Sequence, residues 1–279
     1  MKKVLVFLLT ATIVLLACNI PAAAAQPTEV STETAVTDVP TARPSGIPVS
    51  FQNVSFVIPE GLASGATPEL VPAVDESVGG PWGVAPQHIS FTLTDYTGRQ
   101  DKFFKAVVNI YPAAEYTSVN SWAESSLTRL QALLASPATP LTNDNLPTVP
   151  FNGAAAQQYA AQAKLISFNS GNGVGMLSQY SQFPGPILMD NSFYHYEGLT
   201  SDGKYFIAML FPVNLPLQST AENPSADRVP YPSDISDTAG LTAYFQGITD
   251  KLNAASPDLF QPSITLLDKL IQSITVSSQ

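Results

Sequence analysis

Residues Ser192–Val213 read SFYHYEGLTSDGKYFIAMLFPV, and this stretch decides the fold. Asp202-Gly203 is the strongest short hairpin signal in the chain, because tight two-residue turns need backbone conformations that Asp and Gly tolerate best. With these two residues at the turn, Ser201 faces Lys204, His195 lies opposite Leu210 and Tyr196 opposite Met209. Side chains alternate between the faces of a strand. Phe193, Leu199, Phe206, Ala208 and Leu210 therefore share one face, and Tyr194, Tyr196, Ile207, Met209 and Phe211 share the other. Both faces are apolar, so both must be covered, and an antiparallel sheet enclosed on two sides follows.

Working outward, Gln157 to Phe168 and Val174 to Phe183 read as strands around Asn169-Ser170-Gly171-Asn172-Gly173. That glycine-rich run is no phosphate loop by its surroundings: no lysine follows in the required position and no helical pattern opens there. His88 to Tyr96 alternates Ile89, Phe91 and Leu93 with polar residues and turns at Thr97-Gly98 into a second strand, Phe103 to Tyr111. Val54, Phe56 and Ile58 mark a strand at the edge of the domain, stopped at Pro59-Glu60-Gly61. Two segments rich in proline and acidic residues, Leu62 to Pro86 and Asn214 to Asp237, are expected as a long loop and as a lid or surface flap.

The periodicity changes from two to helical over Ser118 to Leu134, where Ser121 and Glu124 fit a capping box and Pro137 ends the run. Leu241, Tyr244, Phe245, Ile248 and Leu252 form a second helical stripe behind a cap at Asp237 or Thr238. Ile264, Leu267, Leu270, Ile271 and Ile274 form a third behind Pro262. These three helices are the expected covers, giving an α+β fold: an antiparallel sheet covered by helices on both faces, as one domain over residues 47–279. The order of strand, hairpin, helix, antiparallel meander and C-terminal helices resembles the PsbP-like αβα sandwich, a resemblance of element order that an unrelated α+β sandwich shares.

The N-terminus carries a different kind of information. Lys2 and Lys3 precede an apolar run from Val4 to Leu16, a charged and then hydrophobic pattern typical of a secretory signal over residues 1–17. The run is shorter than the roughly 20 residues a membrane-spanning helix needs. Leu15-Leu16-Ala17-Cys18 resembles the bacterial lipobox. That resemblance implies cleavage before Cys18, acylation of its thiol and an extracytoplasmic protein held to a bacterial membrane through lipid. An ordinary signal cut near Ala22 to Ala25 is the alternative. At about 0.8 kcal/mol per buried methylene, two or three acyl chains anchor stably where one does not. Residues 18–46 then read as the lipidated cysteine and a Pro/Thr/Ala tether, since the segment has no aromatic residue and no periodic apolar face. As a flexible coil, residues 19–45 would span roughly 30 Å, holding the domain off the bilayer.

Composition bounds the chemistry. Twelve Lys+Arg against 22 Asp+Glu leave a net charge of −10 with no basic stripe, which argues against a nucleic-acid partner. One Cys and two His cannot build a zinc cage from the usual nitrogen and sulfur ligands. The spacing of Asp227, Asp234 and Asp237 matches no EF-hand loop. No G-x-S-x-G elbow, H-E-x-x-H, penicillin-binding or Rossmann motif occurs, so no cofactor and no catalytic residue is assigned. Only His88 and His195 offer imidazoles, and His88 is expected to be exposed. His195 and Glu197 project from one face of a strand, about 6.6 Å apart along it, which suits a carboxylate that orients an imidazole or a buried histidine satisfied in the core. Trp82, Tyr194, His195, Tyr196 and Glu197 are the candidate ligand-binding residues; Tyr96 joins the aromatics if they line one cleft. The leading expectation is a non-catalytic binding or accessory domain for a small ligand or an envelope protein. A structural accessory subunit without a small-molecule site and an envelope hydrolase using His195 are the rivals.

Because residues 19–45 contribute no apolar face, deleting them should leave the thermal midpoint of the domain unchanged, as followed by circular dichroism. A fall of several degrees would show that the segment packs on the fold.

Overall fold

The computed structural model describes residues 45–278 apart from 76, 78–82, 102–103 and 151–154. The expected signal, Cys18, almost all of the tether, and Trp82 lie outside the described residues. The hairpin is built as its sequence dictates. Strands β10 (Ser192–Thr200) and β11 (Tyr205–Val213) pair antiparallel with His195 opposite Leu210 and Tyr196 opposite Met209. The turn closes by a bond from the Gly203 N–H to the Thr200 carbonyl at 2.8 Å, and Gly203 takes the positive φ of 72° that the bend requires. Asp202 fixes the corner: its carboxylate accepts from Thr200 Oγ1 at 2.7 Å and from the Lys204 N–H at 3.1 Å. The other carboxylate oxygen accepts from Ser278 Oγ at 2.7 Å, tying the C-terminal segment to the turn.

This hairpin sits inside a seven-stranded antiparallel sheet. Beside β11 come β5 (Val107–Pro112), β4 (His88–Thr94) and β3 (Gly65–Val71); beside β10 come β8 (Gly171–Ser178) and β7 (Ala161–Phe168). A three-stranded sheet of β1 (Gly46–Phe51), β2 (Val54–Pro59) and the C-terminal β12 (Thr275–Val276) stands apart, and β6 (Ala156–Gln157) pairs with β9 (Tyr180–Ser181). The strand expected at the domain's edge, β2, is thus the middle strand of its sheet. The long loop expected over Leu62 to Pro86 contains β3, whose GATPELV has too much Gly and Pro to show a strand period.

Glycines in β8 serve the tyrosines of β10. A Cβ on Gly175 would lie 2.4 Å from the Tyr194 hydroxyl, and one on Gly173 would lie 2.5 Å from the Tyr196 ring. The glycine-rich run is therefore a packing device, which leaves room for two large rings laid across the neighbouring strand.

Four helices occur among the described residues: α1 (Ala113–Val119), α2 (Ser121–Ala135), α3 (Thr238–Ala254) and α4 (Ile264–Gln272). The cap of α2 is Asn120, whose side chain accepts from the Trp122 and Ala123 N–H groups, rather than the Ser121–Glu124 box. Val119 and Trp122, apolar residues within the stretch of helical periodicity, are exposed. Asp237 caps α3, as its sequence suggests. Ile274 lies beyond the end of α4 and leads into β12.

The expectation of an α+β fold with helices over both sheet faces is overturned: the described residues are 34% strand and 23% helical, dominated by antiparallel sheet, and the helices do not cover both faces. The reason is extent. A 15-residue helix such as α2 spans roughly 22 Å, whereas seven strands spread over roughly 29 Å. On the face carrying Phe206 and Ala208, α2 supplies Ala123, Leu127, Leu130 and Leu133, but Phe193 and Leu210 are covered by Val149, Phe104 and Tyr180. On the opposite face, α3 and α4 share the work with β2, β12 and irregular chain bearing Leu62, Ile187, Leu215 and Leu217. Asn214 to Asp237 is accordingly no free flap. Leu215, Leu217 and Ser219 are buried in it, and Asp227 accepts from the Gln218 and Ser219 N–H groups.

Among the described residues no helix is long and apolar enough to cross a membrane.

The three hydrogen bonds to Asp202 hold its carboxyl down at about 2, the Thr200 hydroxyl contributing most. Since the folded value lies below the unfolded one, the stabilisation is complete above pH 4 and is lost as the pH falls through about 2. Asp202→Asn should remove that part of the acid dependence, read as the change of urea midpoint between pH 4 and pH 2.

Candidate functional site

Strand alternation separates the residues that the sequence suggested for one cleft. Tyr194 and Tyr196 face α3 and α4, while His195 and Glu197 face the α2 side. All four are 0–1% exposed. The tyrosines are committed to the interior: Tyr194 Oη donates to Asp268 Oδ1 of α4 at 2.8 Å, and Tyr196 Oη donates to the Ile166 carbonyl at 3.0 Å. Tyr96 is also buried, stacked on Phe211 at 6.2 Å.

On the α2 side, a buried polar cluster forms. His195 Nδ1 lies 3.2 Å from Glu197 Oε1, within ion-pair reach but not aligned as a hydrogen bond. Glu197 Oε2 accepts a 2.7 Å bond from Ser126 Oγ of α2. Among the described residues neither imidazole nitrogen has a hydrogen-bond partner, and the ring is wedged edge-on against Phe193 at 5.9 Å and Tyr180 at 6.2 Å. Burial above all, and then the Glu197 carboxyl nearby, push the Tyr180 phenol well up. Its hydroxyl accepts from the Val149 N–H at 2.8 Å and donates to Gln157 Oε1 at 2.7 Å. Tyr116 approaches Glu197 from α1, its phenol also raised chiefly by burial.

Serine, glutamate and histidine thus come together, but in the wrong order for acyl transfer. A general base must contact the nucleophile whose proton it takes. Here the serine is bonded to the carboxylate, and the imidazole lies on the carboxylate's other oxygen. All three side chains are sealed from solvent. The arrangement can fasten α2 to the sheet at one polar point. His88 is likewise buried rather than exposed. It stacks on Tyr111 at 4.3 Å, its Nδ1 meets the Pro86 carbonyl at 2.9 Å, and burial lowers its pKa.

Solvent reaches a different place. An open groove of about 600 Å³, within the 300–1,000 Å³ usual for ligand sites, runs along β7. Its walls are the Pro137–Leu141 segment that follows α2, residues Gln162–Leu165, and Asn253 at the end of α3. Lys164 is its one charged residue, and that ammonium is paired with Asp268. Among the described residues the groove's lining includes no hydroxyl–imidazole or thiol–imidazole pair. Sequence reasoning missed it, because its residues come from three separated segments; the only local signal was the proline pair Pro137 and Pro140 after a helix.

The carboxylates weighed for calcium serve the backbone: Asp227 as above, Asp234 at the Ser236 N–H, and Asp237 at the Gly240 N–H. Among the described residues no group of His, Cys, Asp and Glu side chains is placed to hold a metal ion. No protein-family model, curated protein or solved structure matches the chain.

Ser126→Ala strips Glu197 of its one hydrogen-bond donor among the described residues and should cost about 1–3 kcal/mol in urea unfolding; His195→Gln should cost a similar amount. If His195→Gln instead left stability intact while removing a hydrolytic turnover, the imidazole would be catalytic.

Proposed function

We propose that the protein is a lipid-anchored extracytoplasmic domain that binds or assists another molecule without catalysing a reaction. Lipid on Cys18 would hold it to a bacterial membrane, with the tether giving reach. The observation that carries the non-catalytic reading is the mismatch between chemistry and access. The residue types suited to catalysis, Ser126, Glu197 and His195, are buried, whereas the open groove on β7 mixes apolar side chains such as Leu141 and Leu165 with the polar Thr139, Gln162 and Asn253. A binding site needs shape and a few fixed polar groups, which is what such a groove supplies.

The hydrolase alternative keeps one supporting observation, the convergence of a serine, a carboxylate and an imidazole. It would require α2 to lift away and Ser126 to exchange Glu197 for His195, at the cost of exposing the Leu127, Leu130 and Leu133 stripe. That cost weighs against it.

The anchor is tested by mass spectrometry of the N-terminal peptide from bacterial membranes. A chain beginning at Cys18 with added acyl mass is expected, and Cys18→Ser should release a folded, unlipidated protein. A mature chain beginning after Ala25 would overturn the proposal.

A further inference from the structure

The seven-stranded sheet has two edges, and they are treated differently. Edge strand β3 carries Pro68, which has no N–H to offer, and exposed Glu69. Both are devices that discourage another strand from pairing. Edge strand β7 carries neither, and its one irregularity, between Ala161 and Lys164, is confined to its first end. Its single charge, Lys164, is drawn to Asp268, and Leu165 stands 41% exposed.

The chain closes both ends of this edge itself. The Gln162 N–H donates to Asn253 Oδ1 at 2.7 Å, and the Asn169 N–H donates to the Ile274 carbonyl at 3.0 Å. Between them, from Ala163 to Phe168, the one backbone hydrogen bond beyond the strand ladder among the described residues is that from Tyr196 Oη of β10 to the Ile166 carbonyl. The groove lies against the first half of this window, at Ala163–Leu165. A six-residue window at 3.3 Å per residue is about 20 Å long, enough for one short strand.

We infer that the groove receives an extended peptide segment of a partner protein, which adds to β7 as an eighth strand. This deepens the binding-domain reading and rests on it. The free N–H and C=O groups of an edge bond a strand and offer nothing to a helix. Charge selects the flanks of that segment: the groove is locally neutral, because Lys164 and Asp268 cancel, while the whole chain carries −10. A peptide with an apolar or β-branched centre and basic ends is steered in by the field and seated by the backbone. A second copy fits worse. Two β7 edges brought together would set groove against groove, with the Pro137–Leu141 walls between them and like net charges facing.

The test uses the purified full-length chain and a capped probe peptide, Lys-Thr-Val-Thr-Val-Thr-Lys, with Lys-Thr-Val-Pro-Val-Thr-Lys as control. Amide hydrogen exchange is followed by mass spectrometry. At a probe concentration about ten times its Kd, exchange over residues 163–168 should slow about tenfold. Residues 65–71 of β3 and the proline control should show no slowing. Leu165→Lys, at an exposed position, should abolish the effect with an unchanged thermal midpoint; should that midpoint fall, Leu165→Thr replaces it with the same expectation. No slowing in the wild-type chain, equal slowing at β3, or equal slowing by the proline peptide would overturn the proposal. So would protection that grows with protein concentration without probe, which would assign the groove to a second copy. Acyl mass on Cys18 in the same sample separates the two readings: slowing without acylation leaves the groove standing and removes the anchor, and acylation without slowing does the reverse.

Discussion

Burial of the β10–β11 hairpin on both faces is the constraint from which the rest of the structure follows. Along the strand pair, nearly every side chain from Ser192 to Val213 outside the turn is excluded from water. A strand has two sides and alternates between them, so each consecutive residue demands its own cover. Tyr194 and Tyr196 require α4 and the glycines of β8; Phe206 and Ala208 require α2; Phe193 and Leu210 require the chain around Val149. Fully burying one such apolar side chain contributes about 1.5–3 kcal/mol, so a gap in either layer would be felt at once. The second layer is assembled from whatever apolar chain is within reach, including segments with no regular structure.

The same alternation explains the polar cluster. Once Tyr194 and Tyr196 face one way, His195 and Glu197 must face the other, beneath α2. A buried carboxylate and imidazole cost desolvation that their contact offsets only when further bonds satisfy them. Ser126 provides one such bond, and it comes from the helix that the cluster has to hold. The interaction thereby fixes the axial position of α2 over the sheet, a specificity that the interchangeable leucines of its apolar stripe do not supply.

At the margins, the sheet obeys a different rule. Closing a sheet into a barrel removes its edges, and an open sheet has to manage them. Pro68 and Glu69 manage one edge by chemistry, and Gln162 and Asn169 shorten the other by tying its ends to α3 and to the segment before β12. What lies between is a run of edge backbone beside the groove, and Leu165 in it stands level with Glu197, two strands away through Val174.

Much of this was legible in the residues alone. Asp202-Gly203 and the flanking alternation determined the central register, the partners of His195 and Tyr196, and the allocation of side chains to two faces, because a turn and a period of two are local properties. Asp237 announced the start of α3 for the same reason. The lipobox-like Leu15-Leu16-Ala17-Cys18 is read directly from sequence, with no need of a fold. Only the tertiary structure decided what covers the faces, since Leu62, Ile187, Leu215 and Val149 lie in segments without periodicity and reveal their burial only when the sheet is beneath them. It also decided that Ser126, 71 residues from Glu197, completes the polar cluster. And it alone placed the groove, because a concavity is made where distant segments meet, and no local pattern encodes the space between them.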